Sequence, residues 1–131
     1  MNPQIQSVTV GQVMRQPTTI EPDAHLAAAA YEIEHRRTSA LVVVSDGTGE
    51  PVAMITSADI VRAVAFGRSL EDTRVNQVAT MNPETVRADA SAEDAAELML
   101  ARGMRDLPVV EDDRLVGMVD LHDLYRVRVT G

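Results

Sequence analysis

The chain has 131 residues, 45% of them hydrophobic, and a formal net charge of -8, which suits one compact domain or two small units sharing a core. Tyr31, Phe66 and Tyr125 are its only aromatic residues, so the interior must be aliphatic, and the acidic balance disfavours nucleic acid or an anionic membrane as the main partner. All twelve basic residues are arginine and cysteine is absent, which removes a Schiff-base amine, a Walker-type lysine, a thiolate nucleophile and a disulfide framework.

From the N-terminus, Pro17-Thr18-Thr19-Ile20 reads as a short extended segment closed by Pro22-Asp23. Leu26, Ala29, Ala30 and Ile33 recur at helical spacing and predict a helix to Arg36, with Asp23 or His25 as its cap. The β-branched run Leu41–Val44 predicts a buried strand, and Pro51–Ile55 returns after an Asp46-Gly47 turn. Thr56 opens a second helix through Phe66, ending near Gly67. The order is strand, helix, strand, strand, helix.

The same order returns from Thr85-Val86 onward. Ser91 and Asp94 predict a capping box for a helix carrying Ala95, Leu98, Met99 and Arg102. Leu107–Val110 and Leu115–Val119 are the strands, and Leu121 to about Val127 is the last helix. Pro17 and Pro83 lie 66 positions apart, as do Asp23 and Asp89, and Leu41 and Leu107. Met54 and Met118, Asp59 and Asp123, and Arg62 and Arg126 lie 64 apart, because the turn Asp46-Gly47-Thr48-Gly49 is longer than Asp112-Asp113. The chain therefore reads as a tandem duplication: a first repeat over 8–67, a charged linker over 68–74 and a second repeat over 75–129. One such unit buries little surface alone, so the expected fold class is α/β, two β-α-β-β-α repeats packed with approximate two-fold symmetry and a cleft between them.

The point of chemical interest is where the second strand of each repeat turns into a helix. Thr56 and Asp59 have the spacing of a capping box, and Asp120 and Asp123 occupy the matching places. A helix start also offers unpaired donors and the positive end of the macrodipole, which suits a phosphate or a ribose. The structural reading, a cap and nothing more, stands beside the binding one. His25, His35 and His122 are scattered without metal-ligand spacing, and there is no G-x-S-x-G, G-x-G-x-x-G or Walker sequence, so no catalytic or metal residue is assigned.

The ordered series of a proline-led strand, an Ala-rich helix, Leu107-Pro108-Val109-Val110-Glu111-Asp112, then Gly117-Met118-Val119 before a polar residue and Asp123 resembles the tandem cystathionine β-synthase (CBS) domain pair, or Bateman module, over nearly the whole chain. The resemblance implies clefts that bind adenosine-containing ligands such as AMP, ADP, ATP or S-adenosylmethionine. It implies phosphate or ribose contact at Thr56 and ribose contact at Asp59, with Asp120 and Asp123 as their counterparts in the second repeat. It also implies base contact at Ser39 with Met54 and at Arg105 with Met118, and further contacts at Thr18 and Glu84 on the entering strands. Asp120 departs from the family's neutral hydroxyl. An acceptor-only carboxylate repels phosphate unless a cation or Arg105 intervenes, so the Thr56/Asp59 site is expected to prefer the phosphorylated ligand. The other site is expected to be empty, to hold an uncharged nucleoside, or to use a divalent ion.

These observations together predict a stand-alone regulatory module with no required cofactor and no catalytic activity, sensing an adenosine nucleotide for an unknown regulated protein. The resemblance implies a homodimer, for which Ile60, Val61, Val64 and Ala65 offer an aliphatic helix face. The alternative is a ligand-free dimerisation scaffold, and an enzyme using the cleft is a third reading. The start M-N-P-Q-I-Q-S-V lacks the pattern of a signal peptide and no apolar stretch reaches membrane-spanning length, so a soluble, cytoplasmic protein is expected.

Overall fold

A computed structural model describes residues 8–124. In chain order the elements are α1 (Val10–Val13), α2 (Leu26–Arg36), β1 (Ala40–Val44), β2 (Pro51–Thr56), α3 (Ser57–Ala65), a 3-10 turn (Val75–Gln77), β3 (Thr80–Met81), β4 (Val86–Arg87), α4 (Ala92–Arg102), β5 (Asp106–Glu111) and β6 (Arg114–Asp120). A last helix, α5, is described over 121–124. Its expected continuation to Val127, with Arg126, lies outside the described residues. Among the described residues the chain divides into two compact units, Thr18–Pro83 and 84–124 together with 8–17.

In the Thr18–Pro83 unit, β1, β2 and β3 form an antiparallel sheet. The expected strand at Pro17–Ile20 is reduced to a parallel bridge at Thr19, held by Ile20 N donating to Val42 O and Val42 N donating to Thr18 O. Leu41 and Val43 of β1 and Ala53 and Ile55 of β2 alternate onto one face, where they meet Leu26 and Ala29 of α2, Ile60 and Ala63 of α3, and Val75. His25 stands at the N-cap of α2 but makes no side-chain cap bond. The free amides of Leu26 and Ala27 instead donate to the carbonyls of Thr73 and Leu70, so the charged stretch over 68–74 closes the start of this helix. The aliphatic face expected on α3 is split: Ile60 is buried in the core, while Val61 and Val64 are exposed.

The other unit repeats this arrangement with its named strands displaced to the opposite edge. β4 pairs parallel with β5, β5 pairs antiparallel with β6, and Arg15 forms an antiparallel bridge with Met118 on the far side of β6. Its core joins Val10, Val86, Ala95, Met99, Leu107, Val109, Val119 and Leu124. The hairpin between β5 and β6 turns on Asp112 and Asp113, with φ of 52° and 65°. Two successive left-handed residues match the twist of the strands they join, which is how this turn dispenses with two residues. Ser91 caps α4 by accepting the Asp94 amide at 3.0 Å, while the Ala92 amide goes to Val8 O.

The packing units and the sequence repeats divide the chain differently. Val10 N donates to Ala90 O and Gly11 N to Ala88 O; Val75 N donates to Ala24 O and Asn76 N to Pro22 O. The turn that opens the first repeat thus packs on the body of the second, and the turn that opens the second packs on the body of the first. Val10 and Val75 are both fully buried where they land.

Candidate functional site

In the Thr18–Pro83 unit the site is built at the step from β2 into α3. Register pairs Ala40 with Thr56 and Val42 with Met54, which sets Ser39 beside the first turn of α3. Its carbonyl accepts the Ser57 amide at 2.9 Å. Thr56 is in extended conformation at the N-cap, and the Asp59 amide donates to Thr56 Oγ1 at 3.1 Å while the Thr56 amide donates to Asp59 Oδ2 at 2.9 Å. The predicted capping box is therefore complete. Arg62, one turn along, donates to Asp59 Oδ1 at 3.2 Å, leaving a carboxylate side chain 17% exposed. Met54 is buried on the sheet face opposite Ala53 and Ile55, and the carbonyl of Thr18 is bonded to Val42, the strand neighbour of Met54. Thr18, Ser39, Met54, Thr56 and Asp59 thus belong to one unit and are tied to adjoining positions of one sheet and one helix start.

The second unit builds the same step from β6 into α5. Asp106 pairs with Asp120 and Pro108 with Met118, and the Arg105 carbonyl accepts the Leu121 amide at 3.0 Å. The Asp123 amide donates to Asp120 Oδ1 at 2.7 Å and the Asp120 amide to Asp123 Oδ2 at 3.1 Å. Glu84 is not drawn to these carboxylates: it pairs with Arg102 of α4 at 3.3 Å.

Sequence reasoning missed Arg15. Arg15 N donates to Met118 O and Met118 N to Arg15 O, both at 2.9 Å, which lays the residue along the outer edge of β6. Its Nη2 donates to Asp120 Oδ2 at 3.0 Å and its Nε lies 3.6 Å from Asp123 Oδ2. The cation beside Asp120 is therefore Arg15, whereas Arg105 is exposed and contributes its carbonyl. A signal was present: Val10-Gly11-Gln12-Val13 echoes Val75-Asn76-Gln77-Val78 at a spacing of 65. That spacing matches Arg15 to Thr80, which pairs with Met54 as Arg15 pairs with Met118. Nothing in the sequence says that the leading segment crosses to the other repeat's sheet. Among the described residues no group of three or more His, Cys, Asp or Glu could hold a metal ion, and no helix is long and apolar enough to cross a membrane.

Protein MK0525 of Methanopyrus kandleri, described as uncharacterized, is 29% identical over 126 residues, covering 94% of this chain; the chain spans 64% of that relative's length. The CBS domain-containing protein YhcV of Bacillus subtilis is 34% identical over 110 residues, which cover 83% of this chain and 76% of YhcV. Among solved structures, the CBS domain pair of protein MJ0100, in complex with 5'-methylthioadenosine and S-adenosyl-L-methionine, superposes with a TM-score of 0.85 at 26% identity, covering 94% of this chain and 97% of that one. The family model for the CBS domain matches residues 10–66 and again 75–130, and with two α/β units of like topology the chain belongs to the CBS domain family as a tandem pair.

Proposed function

We propose that this chain is a regulatory module that binds an adenosine-containing ligand at the start of α3 and signals its presence to a protein partner or to a second copy of itself. The observation that carries this reading is the Thr56–Asp59 pair. Its hydroxyl and carboxylate sit where the α3 dipole favours an anion, and the partly exposed carboxylate is an acceptor suited to a ribose diol. Thr56 would contact phosphate or ribose and Asp59 the ribose hydroxyls, with Ser39, Met54 and Thr18 toward the base. The relative from protein MJ0100 is described with two adenosine compounds bound, which supports the ligand class.

No reaction is assigned to the site. Each of its two functional side chains accepts from the other residue's backbone amide in a cap, and among the described residues a nucleophile bonded to a base is not assembled there.

A thermal-shift panel of adenosine, AMP, ADP, ATP, 5'-methylthioadenosine and S-adenosylmethionine tests the reading. A ligand at about a hundred times its dissociation constant stabilises by about 2.7 kcal/mol. Stabilisation by one of the six that is lost in Asp59→Ala supports a sensor. No shift with any of them would favour the scaffold reading, in which the pair serves association alone.

A further inference from the structure

The two units differ at a pair of positions that change together. Where the residue before the helix is Thr56, the edge-strand residue opposite Met54 is Thr80. Where it is Asp120, the edge residue opposite Met118 is Arg15, and the two side chains are joined at 3.0 Å. A neutral pair in one unit is matched by an ion pair in the other, so the added carboxylate brings its own counter-charge. Asp120 therefore does not by itself exclude an anion from this site. The guanidinium is also incompletely used. Among the described residues its buried Nε lies 3.6 Å from Asp123 Oδ2 without forming a hydrogen bond, and the group forms one hydrogen bond, from Nη2 to Asp120. Its side chain keeps 36% of its surface exposed. A planar guanidinium anchored by one carboxylate through Nη2, with its Nε facing a second, keeps further Nη–H donors preoriented for a phosphate.

We infer that Arg15 is a specificity-determining residue of the Asp120/Asp123 site, allowing it to take a phosphate-bearing adenosine ligand in place of a phosphate-free one. This rests on the reading of the pair as an adenosine-ligand module. It changes the expectation drawn from Asp120 alone, because the cation needed there is supplied from the leading segment of the first repeat.

Calorimetric titration of AMP and adenosine tests it, in an Asp59→Ala parent so that heat from the other site is removed. Arg15→Thr should weaken AMP by about tenfold or more, the size of a lost charge-assisted contact, and leave adenosine within about twofold. Arg15→Thr with Asp120→Thr, which gives this site the Thr pair of the other unit, should recover most of the AMP affinity. Arg15→Lys keeps the charge without the fork and should fall between parent and Arg15→Thr. Equal weakening of AMP and adenosine, or unchanged AMP binding in Arg15→Thr, overturns the role of Arg15 while leaving the adenosine site in place. A folded parent that binds neither compound overturns the site together with the inference.

Discussion

Arg15 and Asp120 are 105 positions apart in the chain and 3.0 Å apart in the structure, joined from Nη2 to Oδ2 across the edge of β6. Both side chains remain partly exposed, so solvent screens the pair and its contribution to folding should be below about 1 kcal/mol. A double-mutant cycle of Arg15→Ala and Asp120→Asn, read by urea denaturation, should return a coupling of that size. Asn at 120 keeps an acceptor for the Asp123 amide and so removes the charge without removing the cap. A coupling of several kcal/mol would mean that the pair is a structural clamp whose guanidinium is not available to be shared with a ligand.

The Thr56–Asp59 box separates stability from binding in the same manner. Thr56→Ala removes the acceptor for the Asp59 amide and should cost about 1 kcal/mol. Asp59→Asn can still accept from the Thr56 amide, so its stability should stay within about 0.5 kcal/mol of the parent. It can still accept from a ribose hydroxyl as well, but without charge assistance, so ligand affinity should fall by about tenfold. Chemical denaturation beside calorimetry checks both. A ligand affinity equal in Asp59→Asn and the parent would remove the carboxylate from the binding role.

How far the chain could be read before its structure turns on range. The helices over Leu26–Arg36 and Ala92–Arg102 and the paired strands were legible because their signals are local: apolar periodicity, β-branched runs and turns of fixed chemistry. The Thr56–Asp59 box was legible because its bonds span three residues. The capping of the Leu26 and Ala27 amides was not, since their partner carbonyls are on Thr73 and Leu70, far along the chain. Arg15 was missed for the same reason. Its distance from Asp120 is fixed by the exchange of leading segments, and a repeat in sequence does not say which body each segment joins.

That exchange yields a prediction about Val10 and Val75, each fully buried in a core otherwise made largely by the other repeat's residues. Truncating either to Ala removes buried methyl groups and leaves a small cavity, which should cost about 2 kcal/mol. Hydrogen exchange followed by mass spectrometry should place the lost protection of Val10→Ala chiefly in residues 84–124 and that of Val75→Ala chiefly in 18–66. Lost protection confined to the mutated turn in either variant would show that the leading segments rest on the units without supporting them.

Gly117 marks how closely the leading segment approaches β6. A Cβ at this position would lie 2.5 Å from Met14 Sδ and 3.1 Å from the Arg15 carbonyl oxygen. The matching residue Ala53 of β2 already carries a Cβ inside its own core, so the restriction comes from Met14 and Arg15 and not from the strand. Gly117→Val should cost about 1–3 kcal/mol as overpacking. Adding Met14→Ala should return part of that loss, because it removes the nearer obstacle while leaving the backbone one. Additive losses in the double variant, measured by urea denaturation, would contradict this account of the contact.

Association with a second copy would be carried by exposed apolar side chains, which among the described residues are concentrated in the Thr18–Pro83 unit. Phe66 is 82% exposed and Val61 is 68% exposed, and Val64, Tyr31 and Leu70 are exposed as well. Phe66 closes α3 and Val61 lies on its outward side, while Ile60 and Ala63 hold the helix to the core. Polar substitution at Val61 and Phe66 should therefore leave folding nearly unchanged, within about 0.5 kcal/mol each. At an interface centre the same changes remove a large aromatic anchor and a second apolar side chain, which commonly costs about 2 kcal/mol or more in association. Sedimentation velocity across a concentration series should show a self-association in the parent that weakens at least tenfold in Val61→Ser with Phe66→Ser. A parent that stays monomeric at high concentration, or a double variant that associates as the parent does, would move the partner of this unit from a second copy to a different protein.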